Sequence, residues 1–194
     1  MNGNIVSVSW YDHLMFGEAD GRLLTPAALS RRLEVWRDEL GAGAMHWRTA
    51  RIDIEGRFHI GDGAEHPLWF IAHGIDWNEL EVAPRLAHQA GLEAYLYLSL
   101  FDEGWPLAPP EERATSYHNA MHAQHVSWQS AFSQAHPEFH VVDRRGQRQW
   151  GVMCLAYPEV RAHFRRRFLR LLDGGPFDGL FVCLRSQARP PETA

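Results

Sequence analysis

The segment Glu93 to Phe101, EAYLYLSLF, constrains this chain more than any other stretch. So continuous an apolar run suits a strand buried on both faces, and such strands occur in parallel sheets covered by helices. A parallel strand needs a crossover connection before and after it, so the flanking sequence should carry helical signals. It does. Asp76 and Glu79 have capping-box spacing, Pro84 suits a first helical turn, and Gly91 closes a short helix running to Ala90.

The same alternation extends in both directions. Ile5 to Trp10 alternates apolar and small polar residues and reads as a first strand. A loop from Tyr11 to Leu24 follows. Thr25-Pro26 then starts a helix, with Thr25 as N-cap and Pro26 in the first turn. Leu29, Leu33, Trp36 and Leu40 form its apolar stripe, and Gly41 and Gly43 end it. Ala44 to Thr49 is the second strand. Arg51 to Gly74 is irregular and rich in Gly and His, with a loop or short hairpin over Arg51 to Ile60. Beyond the third strand, Asp102 to His140 is a long excursion. Pro106, Pro109 and Pro110 keep its start non-helical, and Glu111 to Ala135 is expected to be helical. Val141 to Gly146 reads as a short strand and turn, and Trp150 to Leu155 as a further extended piece. Pro158 opens a helix with Val160, Phe164, Phe168, Leu171 and Leu172 on one face, while Arg161, Arg165 and Arg166 lie mostly toward solvent. Gly174-Gly175 stops it, and Phe177 to Leu184 is the fourth strand of the alternation.

Strands alternating with helices imply an α/β fold with right-handed crossovers. A dinucleotide-binding fold is the rival, but no G-x-G-x-x-G follows the first strand. A (β/α)8 barrel takes roughly 250 residues and eight strands. The expectation is therefore a TIM-barrel type fold, apparently truncated after about four βα units, with 1–194 as a single domain. The open edges of such a sheet would invite self-association.

Composition excludes several classes. The net charge is -5 and no basic block occurs, so nucleic acid is not an expected partner. No apolar run is long enough for a bilayer, so no membrane partner is expected either. The residues Met1 to Asn4 lack the charged start of a signal peptide, which makes a cytoplasmic location the default. Cys154 and Cys183 lie in strand-like segments and read as buried thiols, not as a disulfide framework. No C-x-x-C pattern points to zinc or redox chemistry, and no cofactor is expected. His118, His122 and His125 have the spacing of one helix face, but no H-E-x-x-H is present, and a polar helix face is preferred to a metal site. Ser7, Ser9 and Ser99 lack a G-x-S-x-G context, which argues against a serine hydrolase. The unusual counts are twelve histidines and eight tryptophans.

The second half of the chain carries ordered motifs. His136-Pro137-Glu138-Phe139 is followed by Val142-Asp143-Arg144-Arg145-Gly146, then by Leu155-Ala156-Tyr157-Pro158-Glu159-Val160-Arg161, then by Phe177-Asp178-Gly179-Leu180. This order resembles the hypothetical glycosyl hydrolases of the glycosyl-hydrolase-like 10 barrel family. There a HPEW…DxxG turn precedes an NPEVR helix start and a DG(I/L)xxD fourth strand. The resemblance implies the N-terminal half of a glycosidase-like barrel that hydrolyses or binds carbohydrate at its C-terminal face. One departure stands out. The family carries an Asp near the end of the fourth strand, where this chain has Cys183 with Arg185 close by. Asp178 itself falls at the start of that strand, where its role would be structural.

Barrel sites gather where strands end. The first strand ends at Tyr11, Asp12 and His13. The second carries His46 and Arg48, the third ends at Asp102, Glu103 and Trp105, and the fourth at Arg185 and Gln187. Glycoside hydrolysis needs two carboxyl groups, about 5–5.5 Å apart for retention and further apart for inversion. Asp12 with Asp102 or Glu103 are the catalytic candidates; turn-capping carboxylates are the structural alternative. Tyr11 and Trp105 offer stacking platforms, and His13, His46 and Gln187 offer polar contacts. Arg48 and Arg185 can fork onto a carboxylate, as in a uronic acid, or form ion pairs at the barrel mouth. The alternatives to a hydrolase are a non-catalytic carbohydrate-binding barrel and a gene fragment without independent activity.

Overall fold

A computed structural model describes residues 3–8, 12, 25–49, 56–60, 75–101, 103–105, 126–146 and 148–184. In chain order its elements are β1 (Asn4–Val8), α1 (Pro26–Leu40), β2 (Ala42–Arg48), β3 (Gly56–Ile60), α2 (Glu79–Gln89), β4 (Glu93–Ser99), β5 (Gly104–Trp105), β6 (Val126–Ser130), α3 (Ala131–Ala135), a 3-10 turn (Pro137–Phe139), β7 (His140–Val142), β8 (Arg148–Met153), α4 (Pro158–Leu172) and β9 (Gly179–Cys183). They fall into two compact units. One comprises Met1–Ile52, Phe70–Leu98 and Arg167–Cys183; the other comprises Asp53–Trp69, Ser99–Arg166 and Leu184–Ala194.

The first unit holds a four-stranded sheet in the order β1-β2-β4-β9. Strands β1, β2 and β4 run parallel, with Ser7 opposite His46, and His46 opposite Tyr95. α1 begins where its sequence requires. Thr25 Oγ1 accepts a hydrogen bond from the Ala28 amide at 3.2 Å, and Pro26 takes the first turn, where no amide donor is needed. The helix ends at Gly41, whose φ of 60° is a left-handed conformation that costs glycine little. Leu29 and Leu33 are fully buried. They pack with Met45, Trp47, Ala94, Leu96 and Leu98 from the sheet and with Leu80, Ala83 and Ala87 from α2. Each large side chain buried this way contributes roughly 1.5–3 kcal/mol.

The start of α2 departs from the capping-box expectation. Asn78 is the N-cap and makes no side-chain cap bond, and Pro84 lies inside the helix, not in its first turn. Glu79 is the first helical residue and is fully buried, and its carboxylate accepts a hydrogen bond from Thr49 Oγ1 just beyond β2. The contact ties the end of β2 to the beginning of α2, where the helix dipole favours an anion. Gly175 marks another close approach, since a Cβ there would fall 1.7 Å from the Leu80 carbonyl oxygen.

β4 also departs from expectation. Its burial alternates, with Ala94, Leu96 and Leu98 buried and Tyr95 and Tyr97 only half-buried. Its helix-side face carries the aliphatic residues, while the tyrosines lie on the other face. β2 is the strand buried almost throughout.

The second unit contains an antiparallel sheet in the order β3-β6-β5 and a β7-β8 hairpin. The hairpin matches the expected strand, turn and extended piece over 141–155. Residues 126–130 do not fit the expectation of a helix over Glu111 to Ala135. They form β6, antiparallel to β3, and 131–135 are helical, while 111–125 lie outside the described residues. Backbone pairing with β3 and β5 overrides the local helix propensity of this stretch. The Arg161 guanidinium donates to the carbonyls of Leu155 and Ala156 at 2.6 and 2.8 Å, fixing the loop that leads into α4. Cys154 and Cys183 are half-buried, not buried, and neither forms a disulfide.

Candidate functional site

Parallel pairing places side chains of neighbouring strands in rows. On the face of the first unit's sheet opposite Met45, Trp47 and Leu96, the rows bring together His46 and Arg48 from β2 with Tyr95 and Tyr97 from β4. Phe181 of β9 completes the group. Its ring stacks on His46 with centroids 4.2 Å apart and an interplanar angle of 23°, and tilts against Tyr97 at 5.2 Å. Tyr95 meets His46 edge-on at 6.0 Å. The Arg48 guanidinium lies 5.3 Å from the centre of the Tyr97 ring, a cation–π geometry. Gly179 makes room for this packing, because a Cβ there would sit 3.2 Å from the Tyr95 ring.

The electrostatics vary along the face. Glu93, at the start of β4, accepts a hydrogen bond from Tyr95 OH at 2.8 Å, and this bond and the carboxylate charge raise the phenol pKa. Arg48 supplies positive charge at the carboxyl-terminal end of β2. Between them the His46 ring is buried, and loss of hydration lowers its pKa, which favours the neutral imidazole. Phe181 remains 39% exposed, so the aromatic surface is open to a ligand. The face presents a ring platform, a neutral imidazole, two phenols and one guanidinium.

Of the candidates from sequence, His46 and Arg48 are thus brought together. Asp12 is half-buried and belongs to the first unit. Glu103 belongs to the second unit and is fully buried, with its carboxylate 3.8 Å from His163 Nε2. Trp105 lies in β5, opposite Trp128 of β6. Tyr11, His13, Asp102, Arg185 and Gln187 lie outside the described residues, as do His118, His122 and His125. Among the described residues no group of three His, Cys, Asp or Glu could hold a metal ion, and no helix is long and apolar enough to cross a membrane.

Tyr95, Tyr97 and Phe181 were not among the sequence candidates because they sit inside strands, away from strand ends. The signal that marks them is the i, i+2 spacing of Tyr95 and Tyr97, which puts both on one face. Asp178 takes the structural place expected of it. Its carboxylate accepts the Ala94 amide at 2.7 Å and contacts His88 Nε2 at 2.9 Å, ahead of β9. The second unit also buries polar groups that sequence reading passed over. His140 Nε2 lies 2.8 Å from Ser133 Oγ, and Phe132 stacks on His163 at 4.0 Å.

Fold and site together define an α/β protein with a ring-bearing parallel sheet. No protein-family model matches the chain, and no curated protein matches it in sequence. Among solved structures it is similar to a noncanonic maltogenic alpha-amylase from Thermotoga neapolitana, with 10% identity and a TM-score of 0.49 over 92% of this chain. It is also similar to a GH36 alpha-galactosidase from Geobacillus stearothermophilus in complex with stachyose, with 13% identity and a TM-score of 0.47 over 98% of this chain. The chain spans 38% of the first enzyme and 23% of the second. Likenesses of this size carry no functional argument by themselves.

Proposed function

We propose that this chain is a glycoside-hydrolase-like protein that binds carbohydrate on the surface formed by β2, β4 and β9. The carrying observation is the Phe181–His46–Tyr97 aromatic group with Arg48 beside it at the carboxyl-terminal end of β2. Open α/β sheets and barrels alike place their ligands at that end. A pyranose has an apolar C–H face that suits an aromatic ring, and hydroxyls around its edge that need fixed donors and acceptors. The surface offers both kinds of group, as small-molecule sites do. In this reading the sheet is part of a (β/α)8 barrel and the ring-bearing face is the inner one.

Hydrolysis is the finer reading. It assigns Asp12 with Asp102 or Glu103 to acid, base or nucleophile roles, with Tyr11, His13, Trp105, Arg185 and Gln187 as further sugar contacts. The alternative is a non-catalytic carbohydrate-binding barrel. Two observations favour it: Glu103 is fully buried, and β9 ends at Cys183, where the family that the sequence resembles has an aspartate.

Calorimetric titration of the full chain with a panel of neutral and acidic oligosaccharides tests the reading. At least one class is expected to bind, and Phe181→Ala is expected to weaken it tenfold or more while the far-UV circular dichroism stays unchanged. Binding that is indifferent to loss of the Phe181 ring would sink the assignment of this surface. Release of reducing ends from the bound sugar, abolished by Asp12→Asn, would establish the hydrolase over the binding protein.

A further inference from the structure

We infer that the second unit carries a further sugar-binding platform, built from His136, Glu138, Phe139 and Tyr157, that takes a neutral oligosaccharide. The inference takes its ligand class from the carbohydrate reading above and adds a site to it. Two of the ordered sequence motifs, His136 to Phe139 and Leu155 to Arg161, take no part in the surface of β2, β4 and β9, and the structure brings them together. The Phe139 carbonyl accepts the Cys154 amide at 2.7 Å, which sets the two segments side by side. The Phe139 ring then meets two others. His136 stacks on it with centroids 5.1 Å apart and an interplanar angle of 18°, and Tyr157 tilts against it at 4.7 Å. Tyr157 is 41% exposed, so its ring is backed by Phe139 while much of it meets solvent. An aromatic ring held in this way suits the apolar C–H face of a pyranose.

A hydrogen-bonding pair flanks the same stack. His136 Nδ1 donates to Glu138 Oε1 at 3.0 Å. The backbone amide of Glu138 itself and the His136 ring hold that carboxyl below its usual range, so it is an anion at neutral pH and acts only as an acceptor. Sugar hydroxyls donate well to such an oxygen. The charges nearby favour a neutral ligand over an acidic one. Glu159 adds a second carboxylate two residues beyond Tyr157, and the Arg161 guanidinium is committed to the carbonyls of Leu155 and Ala156. Arg148 acts on Glu138 through its charge and moderates the negative field. The backbone beneath the rings is fixed before any ligand arrives. The His136 amide donates to the Phe132 carbonyl at 3.0 Å, Phe139 to His136 at 3.1 Å, Tyr157 to Cys154 at 3.2 Å and Arg161 to Tyr157 at 3.3 Å. A platform ordered in advance loses little freedom on binding, which matters for sugars because each hydroxyl contact gains little over water.

The test titrates the full chain with maltohexaose, cellohexaose, xylohexaose and mannohexaose and follows two-dimensional amide spectra. With at least one probe, the amides of His136, Glu138, Phe139 and Tyr157 are expected to shift together along one saturation curve. Tyr157→Ala should weaken that curve about fivefold or more, the scale of a lost aromatic contact. Glu138→Gln should weaken it about threefold, the scale of a lost hydrogen bond. Tyr157→Phe keeps the ring and controls for the fold, and should change it by less than about twofold. None of the three should alter the curve read at Phe181. Shifts at Phe181 with none at the four residues, or a curve at the four residues that Tyr157→Ala leaves unchanged, would overturn the inference and leave the carbohydrate reading standing. Silence of both surfaces towards all four probes would overturn the inference for these sugars, and loss of all binding across the wider panel would take the carbohydrate reading with it.

Discussion

The two faces of the four-stranded sheet are built from the same strands, residue by alternate residue, and do opposite things. One face carries Val8, Met45, Trp47, Ala94, Leu96 and Leu98, all nearly inaccessible, beneath Leu29 and Leu33 of α1 and Ala83 and Ala87 of α2. The other carries His46, Arg48, Tyr95, Tyr97 and Phe181, rings with polar atoms at their edges, of which Phe181 is 39% exposed. Aliphatic side chains gain only by leaving water, so their face must be covered. Aromatic and amphipathic side chains pack against one another while their polar tips stay hydrated, so their face can remain partly open. The strand pleat makes the separation possible, since a shift of one residue would exchange the two sets.

The sharpest way to break the comparison is to truncate one residue on each side. Leu33→Ala on the covered side should lower stability by about 3 kcal/mol in chemical denaturation, the usual cost of a large aliphatic residue lost from a close-packed core. Phe181→Ala on the open side should cost about 1 kcal/mol, the value of its ring contacts, and should instead remove ligand binding. Equal destabilisation by the two changes would mean that the ring-bearing face is a second core.

A smaller effect concerns the edge that registers β9 against the rest. The Asp178 carboxylate is desolvated, which alone would raise its pKa, but hydrogen bonds from the Ala94 amide and His88 outweigh this and the pKa is lowered. A depressed carboxyl pKa stabilises the fold above the ordinary carboxylate range and loses that contribution as pH falls through the folded value. Asp178→Asn should cost about 0.5–1 kcal/mol near neutral pH, modest because the side chain is 41% exposed, and should flatten the acid limb of a stability–pH curve. An unchanged acid limb would mean that β9 is registered by its backbone pairing alone.

The smallest effect is carried by His46. Burial lowers its pKa, so as pH falls the unfolded chain binds a proton before the folded one does. Stability should therefore be full above the ordinary histidine pKa of about 6.5 and decline below it, levelling off only under the folded value. His46→Gln should remove this slope between pH 7 and 5. An identical slope in the variant would assign the titration to another of the twelve histidines.

Much of the covered face was legible in the sequence. Thr25-Pro26, the stripe from Leu29 and Leu33, and Gly41 specify α1 through local rules of capping, periodicity and glycine conformation, and the structure follows them, except that Leu40 at the end of the expected stripe is exposed and Gly43 already belongs to β2. α2 was legible as a helix but not in its start, because Asp76 and Glu79 have the right spacing for a capping box while burial claims Glu79 for Thr49. The same limit hid β6. Its residues gain more from pairing with β3 and β5 than from the helix read into them, and pairing partners tens of residues away leave no local mark.

By itself the sequence determined the alternation of strands and helices in the first unit and the parallel character of its sheet, because capping, periodicity and crossover connections act between near neighbours along the chain. Only the tertiary structure decided which strands adjoin, and with that the site. β9 pairs beside β4, and the parallel register sets His46 opposite Tyr95 and Arg48 opposite Tyr97. These placements gather residues from 46 to 181 onto one surface. Burial of the aliphatic face fixes them: once Met45, Leu96 and their neighbours must face the helices, the alternate side chains have no other direction in which to point.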